Sequence, residues 1–547
     1  MWYNDWGQVN RLKFSGWSYP QDYGRIGGIG QDDPSRSLGR EEMKSLMIQG
    51  TGSYVGKSLM VAGLCRIFKK DGFNVVPFKS QNMSLNSYVT KEGGEMGRAQ
   101  VVQAEAAGIE PHVDMNPILI KPNTDIGAQI IIQGKVYGNM SAIRYHRFKK
   151  RALKAVKESF HRLEEKYELM VIEGAGSPAE VNLRENDLAN MGMAEIADAP
   201  VILVGDIDKG GVFASLIGTL ELLNKEEKRR IKGFIINKFR GDIRLLKPGL
   251  DFLEKKTGLP VLGVIPYFKD LYVQEEDGVS IEKFGSNPKR GDIRIVVIYL
   301  PHISNFTDFD ALQKEPDVEL CYLRPGSPIP VSNLIIIPGS KNTIDDFAYL
   351  RKSQYDKAIL KHRQRGGFVI GICGGYQMLG QRISDPFKIE TNRRSIAGLG
   401  LLNVETTIEK EKVTSQVSAK VFRKGCLQWR PGEIFGYEIH MGRTKRGKKI
   451  PPMFSIFKKG DRKVHIEDGA ISEDGKVWGT YIHGIFDNDK FRRRFINDLR
   501  KKRGLSPLSR SDILHYHQLK EEGFDNLEMG LRENLNMDLI HRILNLR

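Results

Sequence analysis

The stretch GGFVIGICGGYQMLG, residues 366–380, places one cysteine between an apolar strand and a glycine-rich turn that opens a helix. The predicted strand Phe368–Ile372 is buried and stiff, so Cys373 at its carboxyl end is held in place at a helix N-terminus. Free N–H groups and the helix dipole there favour a thiolate and can stabilise an oxyanion. Glycines suit so sharp a turn, because larger residues would strain its backbone. The residues alone leave two interpretations open: a nucleophile elbow with Cys373 at its tip, or a buried core cysteine beside a turn.

Two segments decide between these interpretations by their resemblance to class I (triad) glutamine amidotransferases. In ICGGYQML, Cys373 matches the attacking thiol and Gln377 a residue of the glutamine pocket, and in VWGTYIHGIFDN, His483 follows a strand as the general base does. The resemblance implies that the imidazole takes the thiol proton, and that Cys373 attacks the side-chain amide of glutamine and releases ammonia. Backbone N–H groups at Gly374 and near Gly339, in the turn IIIPGSKN, are the candidate oxyanion hole.

The third member of the triad is not evident from the sequence. Most of these glutaminases carry a glutamate two residues after the histidine, and this chain has Ile485 there. Asp487 and Glu438 are candidate replacements, and a cysteine–histidine dyad without a third member is equally compatible with the sequence.

A second chemical motif, SLMIQGTGSYVGKSLMVAGLCRIF, reads as a strand, a glycine-rich loop and an amphipathic helix, which is the setting of a phosphate-binding loop. Loop N–H groups cradle phosphates, Lys57 neutralises their charge, and the hydroxyl of Ser58 can ligate magnesium. The spacing is longer than the usual one, because Gly50 lies six residues before Gly56 and Thr51 occupies the usual glycine position. This longer form resembles the loop of dethiobiotin synthetase and related ATP-dependent amide synthetases.

Polar side chains follow the ends of further predicted strands. Glu173 and Asp206 each end a strand, and a carboxylate at such a place can hold magnesium against the phosphates of a nucleotide. Asn237 and Lys238 end another strand, where they can contact the nucleotide. Asp206 and Asp208 could instead cap the helix that follows them.

A polar loop, KSQNMSLNSYVTKEGGEMG, follows the second predicted strand and carries Gln81, Asn82, Asn86 and Glu95. Ligands of open α/β sheets bind beyond the carboxyl ends of the strands, which makes these residues candidates for contacts with the acceptor substrate. A solvated connection without a binding role remains the alternative.

Strands that alternate with helices predict an α/β fold of two doubly wound domains. The turn-rich residues 285–292 form the predicted linker between a dethiobiotin synthetase-like P-loop amide synthetase domain, 44–284, and a class I glutaminase domain, 293–495. A helical segment follows over 496–547. Residues 1–43 lack periodicity and are predicted to be a poorly ordered extension, unless their aromatic residues dock it onto the body.

Composition excludes several other classes of protein. The 547 residues are 40% hydrophobic and 28% charged, which is ordinary globular composition. The cysteines lie far apart without CxxC spacing, which disfavours a disulfide framework or zinc site and fits a reducing compartment. No apolar run reaches the roughly eighteen residues of a membrane span, and the first residues lack the apolar run that is typical of a signal peptide. We therefore predict a cytoplasmic protein without a membrane partner.

The formal net charge of +17 raises the question of a nucleic-acid partner. The basic clusters KFRRRF, LRKKRG and TKRGKK are not interleaved with base-stacking aromatic residues, and no nucleic-acid module is evident. We predict that these clusters are solvated surfaces and that nucleic acid is not a partner. A basic surface also suits anionic small molecules such as ATP or a polycarboxylate.

Ten motifs in order resemble the adenosylcobyric acid synthase family from about residue 45 to residue 547. They are QGTGSYVGKS, FKSQNMSLNS, GEMGRAQ, VIEGAGSPAEVNL, GDIDKGGVFAS, NKFRGD, IIIPGSKNT, GICGGYQMLG, GYEIHMGRT and YIHGIFDN. The resemblance implies amidation of the b, d, e and g carboxylates of adenosylcobyrinic acid a,c-diamide, with glutamine, ATP and magnesium. The departures are Gly52, where the family often has Ser, Ala or Thr, and the N-terminal extension.

Three alternatives share part of this pattern. Cobyrinic acid a,c-diamide synthase has the same two domains, but the SQNMSLNS loop favours the first family. CTP synthase has a similar domain order, but its glutaminase histidine is followed by a Pro-Glu pair that this chain lacks. A non-enzymatic nucleotide-dependent regulator with a degenerate glutaminase is disfavoured, because the chain retains Lys57, Ser58, Glu173, Cys373 and His483.

Overall fold

The computed structural model describes residues 42–123, 127–185, 187–269, 271–274, 291–422, 432–509 and 513–546. Residues Met43–Arg547 form one compact unit. The predicted extension, 1–43, and the predicted linker, 285–292, lie almost entirely outside the described residues, and Cys426 also lies outside them.

The first sheet is parallel and carries the phosphate-binding loop at its carboxyl edge. Its strands are nearly continuous apolar runs that are buried on both faces, as parallel strands covered by helices must be. In spatial order the strands of this six-stranded sheet are Val261–Pro266, Ile231–Phe239, Val201–Asp206, Lys44–Gly50, Leu169–Glu173 and Val75–Phe78.

Amphipathic helices connect these strands and cover the two faces of the sheet. The helix Lys57–Lys70 starts directly after the loop, and its buried face packs on the strands beneath it. The other helices are Arg98–Ala107, Ala142–Glu164, Met191–Ile196, Val212–Leu222, Lys225–Arg230 and Ile243–Thr257, with short 3-10 turns at Val113–Met115 and Val181–Leu183.

Short strands extend from the first sheet toward the second domain. They form a four-stranded sheet in the order Gln81–Met83, Ile118–Pro122, Gly127–Ile132 and Lys135–Ser141, and an antiparallel pair of Ser87–Val89 with Glu95–Gly97. These strands contain Gln81, Asn82 and Glu95, and Asn86 lies between two of them; we call residues 81–97 the acceptor loop.

The second domain contains a parallel sheet with one antiparallel edge strand. Its spatial order is Val318–Tyr322, Ile293–Val297, Leu334–Ile337, Phe368–Ile372, Val477–Thr480 and Ala470–Ile471. Its helices are Asp310–Lys314, Thr343–Lys352, Tyr355–Gln364, Gly374–Leu379 and Asp489–Lys502, with 3-10 turns at Phe306–Phe309 and Ile485–Asp487.

A long, mostly antiparallel layer lies beside this sheet and forms one wall of the site around Cys373. Its path runs Ser395–Ala397, Arg382–Ser384, Val404–Val421, Glu433–Arg446 and Ile482–His483. Phe454–Lys459 pairs with Val404–Val421, and Arg462–Asp468 pairs with Phe454–Lys459. The strand pair Ile303–Ser304 and Gly339–Ser340 lies at another wall of the same site.

The C-terminal helices Tyr516–Asn534 and Met537–Ile543 return to the first domain. Leu531 is fully buried, and a Cβ on Gly63 would lie 2.2 Å from its Cδ1, so the two helices cross in close contact. Arg66 adds ion pairs with Glu521 at 3.0 Å and Asp525 at 2.8 Å. The end of the chain therefore belongs to the core of the P-loop domain.

The predicted fold class, two doubly wound α/β domains, is confirmed. Over the part of the chain that the structure describes, no helix combines the length and the apolar character that crossing a bilayer requires.

Candidate active site

Cys373 lies at the turn between the strand Phe368–Ile372 and the helix Gly374–Leu379. Its φ of 50° and ψ of −107° put a non-glycine residue in strained backbone, as at the tip of a nucleophile elbow. The turn closes tightly, because a Cβ on Gly375 would lie 1.9 Å from the carbonyl oxygen of Ile337. Only glycine fits there, and the turn holds the thiol of Cys373 in a fixed, buried position.

His483 is held by a buried carboxylate. Its Nδ1 donates to Oδ2 of Asp308 at 2.6 Å, and the backbone N–H of Gly484 donates to Oδ1 of the same carboxylate at 3.0 Å. Burial alone would lower the pKa of His483, but the Asp308 carboxylate and the neighbouring Cys373 outweigh it and raise the pKa to about 10. The imidazole is therefore protonated at neutral pH and can donate a proton to departing ammonia.

The sequence pattern does not identify Asp308 as the partner of His483, and the structure corrects the two candidates that it offers. Glu438 pairs with a lysine at 2.7 Å, and Asp487 lines a cavity next to Asp308. Asp308 comes from the start of the second domain, 175 residues before the histidine. One feature of the sequence could have pointed to Asp308: it follows the first strand of a parallel sheet, where functional carboxylates often lie.

The predicted oxyanion-hole residues come together with His483 around the thiol. A Cβ on Gly374 would lie 2.9 Å from the backbone nitrogen of Ser340, and a Cβ on Gly339 would lie 3.4 Å from Cε1 of His483. This close packing brings the two backbone segments to the same side of Cys373. Their role as oxyanion donors remains a proposal.

Gln377 lies on the helix that begins directly after Cys373, and its side-chain oxygen accepts no hydrogen bond from the described residues. Its Nε2 donates to the hydroxyl of Tyr481 at 3.3 Å, whereas its buried Oε1 has no hydrogen bond to any described residue. Buried polar atoms are normally satisfied, so a bound ligand with an N–H group would complete this one. The geometry fits the predicted position in a glutamine pocket.

The predicted phosphate-binding residues lie together at the carboxyl edge of the first sheet. Lys57 donates from Nζ to the carbonyl oxygens of Gly52 at 2.7 Å and Gly176 at 3.0 Å, which draws its ammonium across the loop. The backbone N–H of Thr51 donates to the neighbouring strand at 3.0 Å. A Cβ on Gly50 would lie 2.5 Å from Cγ2 of Val55, so the first turn of the loop needs a glycine.

Ser58 and Glu173, two of the predicted magnesium ligands, are in contact. The hydroxyl of Ser58 donates to Oε1 of Glu173 at 2.8 Å, and Lys79 reaches the same oxygen at 2.7 Å. Burial alone would raise the pKa of Glu173, but Lys79, Ser58 and Gln103 outweigh it and lower the pKa. The carboxylate is therefore ionised, as a magnesium ligand must be.

This donor set fits magnesium that is bound together with a nucleotide. Mg²⁺ prefers oxygen ligands and usually takes one or two carboxylates together with substrate phosphates and waters. Ser58 and Glu173 supply such oxygens, and the described residues contain no cluster of three or more His, Cys, Asp or Glu that could hold a metal. Phosphates would therefore have to supply much of the coordination.

Asp206, the third predicted magnesium ligand, is paired with Lys238 at 2.7 Å. Lys238 also donates to the backbone oxygen of Tyr54 at 2.6 Å, and Asn237 donates to that of Val55 at 2.8 Å. Asn237 packs so closely that a Cβ on Gly56 would lie 2.1 Å from its Nδ2. In this structure Asn237 and Lys238 hold the loop backbone and Asp206 holds Lys238, and direct contacts with ATP or metal remain predictions.

The predicted acceptor residues are engaged within the protein. Gln81 accepts from the hydroxyl of Tyr145 at 2.6 Å, and Asn82 donates to Gln100 at 2.9 Å. Glu95 is fully buried between Lys121, at 2.9 Å, and Lys412 of the second domain. The acceptor loop therefore lies at the contact between the two domains.

Comparison with known proteins agrees with the phosphate-binding loop in the first domain and with the cysteine site in the second. Residues 46–281 match the family model of the CobQ/CobB/MinD/ParA nucleotide binding domain, and residues 294–491 match that of the CobB/CobQ-like glutamine amidotransferase domain. By fold and site, the chain is a P-loop nucleotide-binding domain joined to a glutamine amidotransferase domain.

Similarity over the whole length is more specific than the two domains. The chain is 54% identical over 506 residues to a cobyric acid synthase of Clostridium botulinum, covering 92% of this chain and all of that protein. It is 53% identical over 503 residues to one of Thermoanaerobacter sp., covering 91% of this chain and 98% of that protein. The chain belongs to the cobyric acid synthase family.

A solved structure of a glutamine amidotransferase from Thermotoga maritima is also similar. It matches 47% of this chain and 99% of its own length, at 17% identity and a TM-score of 0.27.

Proposed function

We propose that this protein amidates the b, d, e and g carboxylates of adenosylcobyrinic acid a,c-diamide and produces adenosylcobyric acid in cobalamin biosynthesis. Each amidation would consume one glutamine, one ATP and one water, and would release glutamate, ADP and phosphate. The observation that carries the proposal is the similarity to cobyric acid synthases over 92% of the chain.

The first half of the reaction belongs to the P-loop domain. We assign Lys57 and the loop N–H groups to the ATP phosphates, and Ser58 with Glu173 to magnesium, which would offset the charge on the transferred phosphoryl group. The acceptor carboxylate attacks the γ-phosphorus, the bond to the β,γ-bridging oxygen breaks, and an acyl phosphate and ADP result.

The second half of the reaction, the release and transfer of ammonia, begins at Cys373. The thiolate attacks the amide carbon of glutamine, the backbone around Gly339 and Gly374 stabilises the oxyanion, and His483 gives its proton to the departing ammonia. Asp308 holds the imidazolium in the orientation that this transfer requires. Water then hydrolyses the thioester to glutamate, and ammonia displaces phosphate from the acyl phosphate to form the new amide.

A mass-spectrometric time course tests the proposal directly. The protein is incubated with adenosylcobyrinic acid a,c-diamide, ATP, magnesium and glutamine, and the amidations on the corrinoid are counted. Four successive additions are expected. No addition to this substrate, together with amidation of cobyrinic acid at its a and c carboxylates, would overturn the assignment and favour the a,c-diamide synthase.

A further inference from the structure

The acceptor loop meets the glutaminase domain at a buried set of amide contacts. Nδ2 of Asn305 donates to the backbone oxygen of Ser87 at 2.8 Å, and the backbone N–H of Phe306 donates to Oδ1 of Asn86 at 3.1 Å. Asn305 is only 2% exposed, and Asn86 only 1%. Buried hydrogen bonds of this kind are costly to break, so loop and turn are held to each other.

The same asparagine is linked to the surroundings of His483 by two routes. Asn305 begins the 3-10 turn Phe306–Phe309 in left-handed backbone, with φ of 53°, and this turn carries Asp308, the partner of His483. Nδ2 of Asn305 also donates to the hydroxyl of Tyr437 at 2.8 Å. The ring of Tyr437 stacks on the imidazole of His483, with centroids 5.3 Å apart and planes 17° from parallel.

The other end of the acceptor loop leads to the phosphate site. The backbone N–H of Arg98 donates to the backbone oxygen of Asn86 at 3.2 Å, and Arg98 opens the helix Arg98–Ala107. From the same helix, Gln100 and Gln103 donate to Oε2 of Glu173. These hydrogen bonds, together with the first turns of the helix Arg98–Ala107, join the proposed magnesium ligand to Asn86, and from there to the turn that holds Asp308.

The turn borders open space on one side. A cavity of about 380 Å³ lies beside it, lined among others by Tyr88, Arg98, Thr307, Asp308 and Tyr437. Packed cores transmit small displacements but resist large ones, so a segment that borders a cavity can shift without compressing its neighbours. A change in the acceptor loop can therefore alter the distance between Asp308 and His483.

We propose that Asn305 is a positioning residue that couples the acceptor loop to the Asp308–His483 pair, so that glutamine is hydrolysed rapidly only when the synthetase domain is loaded. The inference deepens the proposed function and rests on it for the identity of the acceptor. It explains how ammonia release is kept in step with acyl phosphate formation. Asn305 itself touches neither glutamine nor the acceptor in this scheme.

The test is the substitution Asn305→Gly, which permits left-handed backbone and removes the amide donor without adding a buried charge near Asp308. Glutamate release is measured with glutamine alone, with ATP and magnesium added, and with the corrinoid added as well. Amidation with ammonium chloride is measured in parallel. In the wild type we expect loading to stimulate glutamate release, and in the variant we expect this stimulation to fall by about fivefold or more. Ammonium-dependent amidation should stay at the wild-type rate.

Thr414→Val is the matched control. Thr414 donates to the backbone oxygen of Gly93 at 2.8 Å, so it also joins the second domain to the acceptor loop, but it does not touch the turn that carries Asp308. This variant should keep the stimulation. Asn305→Asp, which keeps the side-chain shape and lacks the amide donor but adds a negative charge, replaces Asn305→Gly if that variant does not fold.

Three results would overturn the coupling role: full stimulation in the Asn305 variant, equal loss of stimulation in Thr414→Val, or absence of any stimulation in the wild type. Failure of the proposed function gives a different result, namely no amidation of the diamide by the wild type even with ammonium chloride. The stimulation by ATP and magnesium alone then still tests the coupling, because the series of hydrogen bonds begins at Glu173.

Discussion

Asp308→Asn is the most informative single substitution, because it removes one charge and leaves the shape of the site intact. The carboxylate lies 2.6 Å from Nδ1 of His483, and the two residues are 4% and 1% exposed. Breaking a buried, hydrogen-bonded charge pair costs about 3–5 kcal/mol. If the imidazolium is needed in the transition state, this cost appears as a loss of about 10²- to 10⁴-fold in glutamine hydrolysis.

The assay compares two nitrogen sources in the same preparation. Glutamine-dependent amidation by Asp308→Asn should fall by the factor above, whereas amidation with ammonium chloride should stay at the wild-type rate, because the P-loop site is untouched. Glu438→Gln is the matched control, since Glu438 is a buried carboxylate that pairs with Lys459 instead of His483. The reasoning is refuted if Asp308→Asn keeps glutamine hydrolysis within threefold of wild type, or if Glu438→Gln loses as much.

The pH dependence of glutamate release gives a second measurement on the same variant. The pKa of His483 is raised to about 10, so the wild-type imidazolium persists through the neutral range and is lost as pH rises through about 10. Asp308 is the largest cause that raises this pKa, and burial lowers it. In Asp308→Asn the alkaline fall of kcat/KM for glutamine should therefore move to lower pH; an unchanged profile would mean that Asp308 does not set the charge on His483.

Three further substitutions test the glutaminase site, the phosphate loop and the C-terminal helix one at a time. Cys373→Ala should abolish glutamate release and keep amidation with ammonium chloride; loss of both activities would contradict the division of labour between the domains. Lys57→Ala should lower ATP-dependent amidation by about 10²-fold or more with either nitrogen source, because the charge on the phosphates is no longer offset; near-normal amidation would mean that the phosphate loop is misassigned. Leu531→Ala should destabilise the protein by about 2–5 kcal/mol, seen as an earlier thermal transition, because it empties a buried site between the C-terminal helix and the P-loop domain. Leu245→Ala, at a side chain that is 84% exposed, is its control and should leave the transition within about 0.5 kcal/mol of wild type; equal shifts would show that the helix contact contributes nothing.

Much of this molecule could be predicted from its sequence, because its chemistry is concentrated in local motifs. A glycine-rich turn between a strand and a helix has few conformations, so the positions of Cys373 and Lys57 follow from their neighbours in the chain. Alternation of strands and helices likewise leaves few topologies other than a doubly wound sheet. The fold class was accordingly predictable.

Contacts between distant segments could not be predicted in the same way. Asp308 reaches His483 across 175 residues, and the helix Tyr516–Asn534 packs on the first domain from the far end of the chain. Both contacts depend on how whole domains pack, and no periodicity or spacing in one sequence encodes that. The pairing of Asp206 with Lys238 depends on the register of two neighbouring strands, in which Asp206 lies opposite Asn237.

The measurement that tests the central claim most directly follows the nitrogen from one site to the other. The protein is given adenosylcobyrinic acid a,c-diamide, ATP, magnesium and amide-15N glutamine in the presence of excess unlabelled ammonium chloride, and the isotopic composition of the new amides is read by mass spectrometry. If ammonia released at Cys373 passes to the acyl phosphate within the same molecule, the new amides carry predominantly 15N. Amides that carry mainly 14N, formed while glutamate is released at its normal rate, would contradict the account, because the two sites would then work without transfer between them.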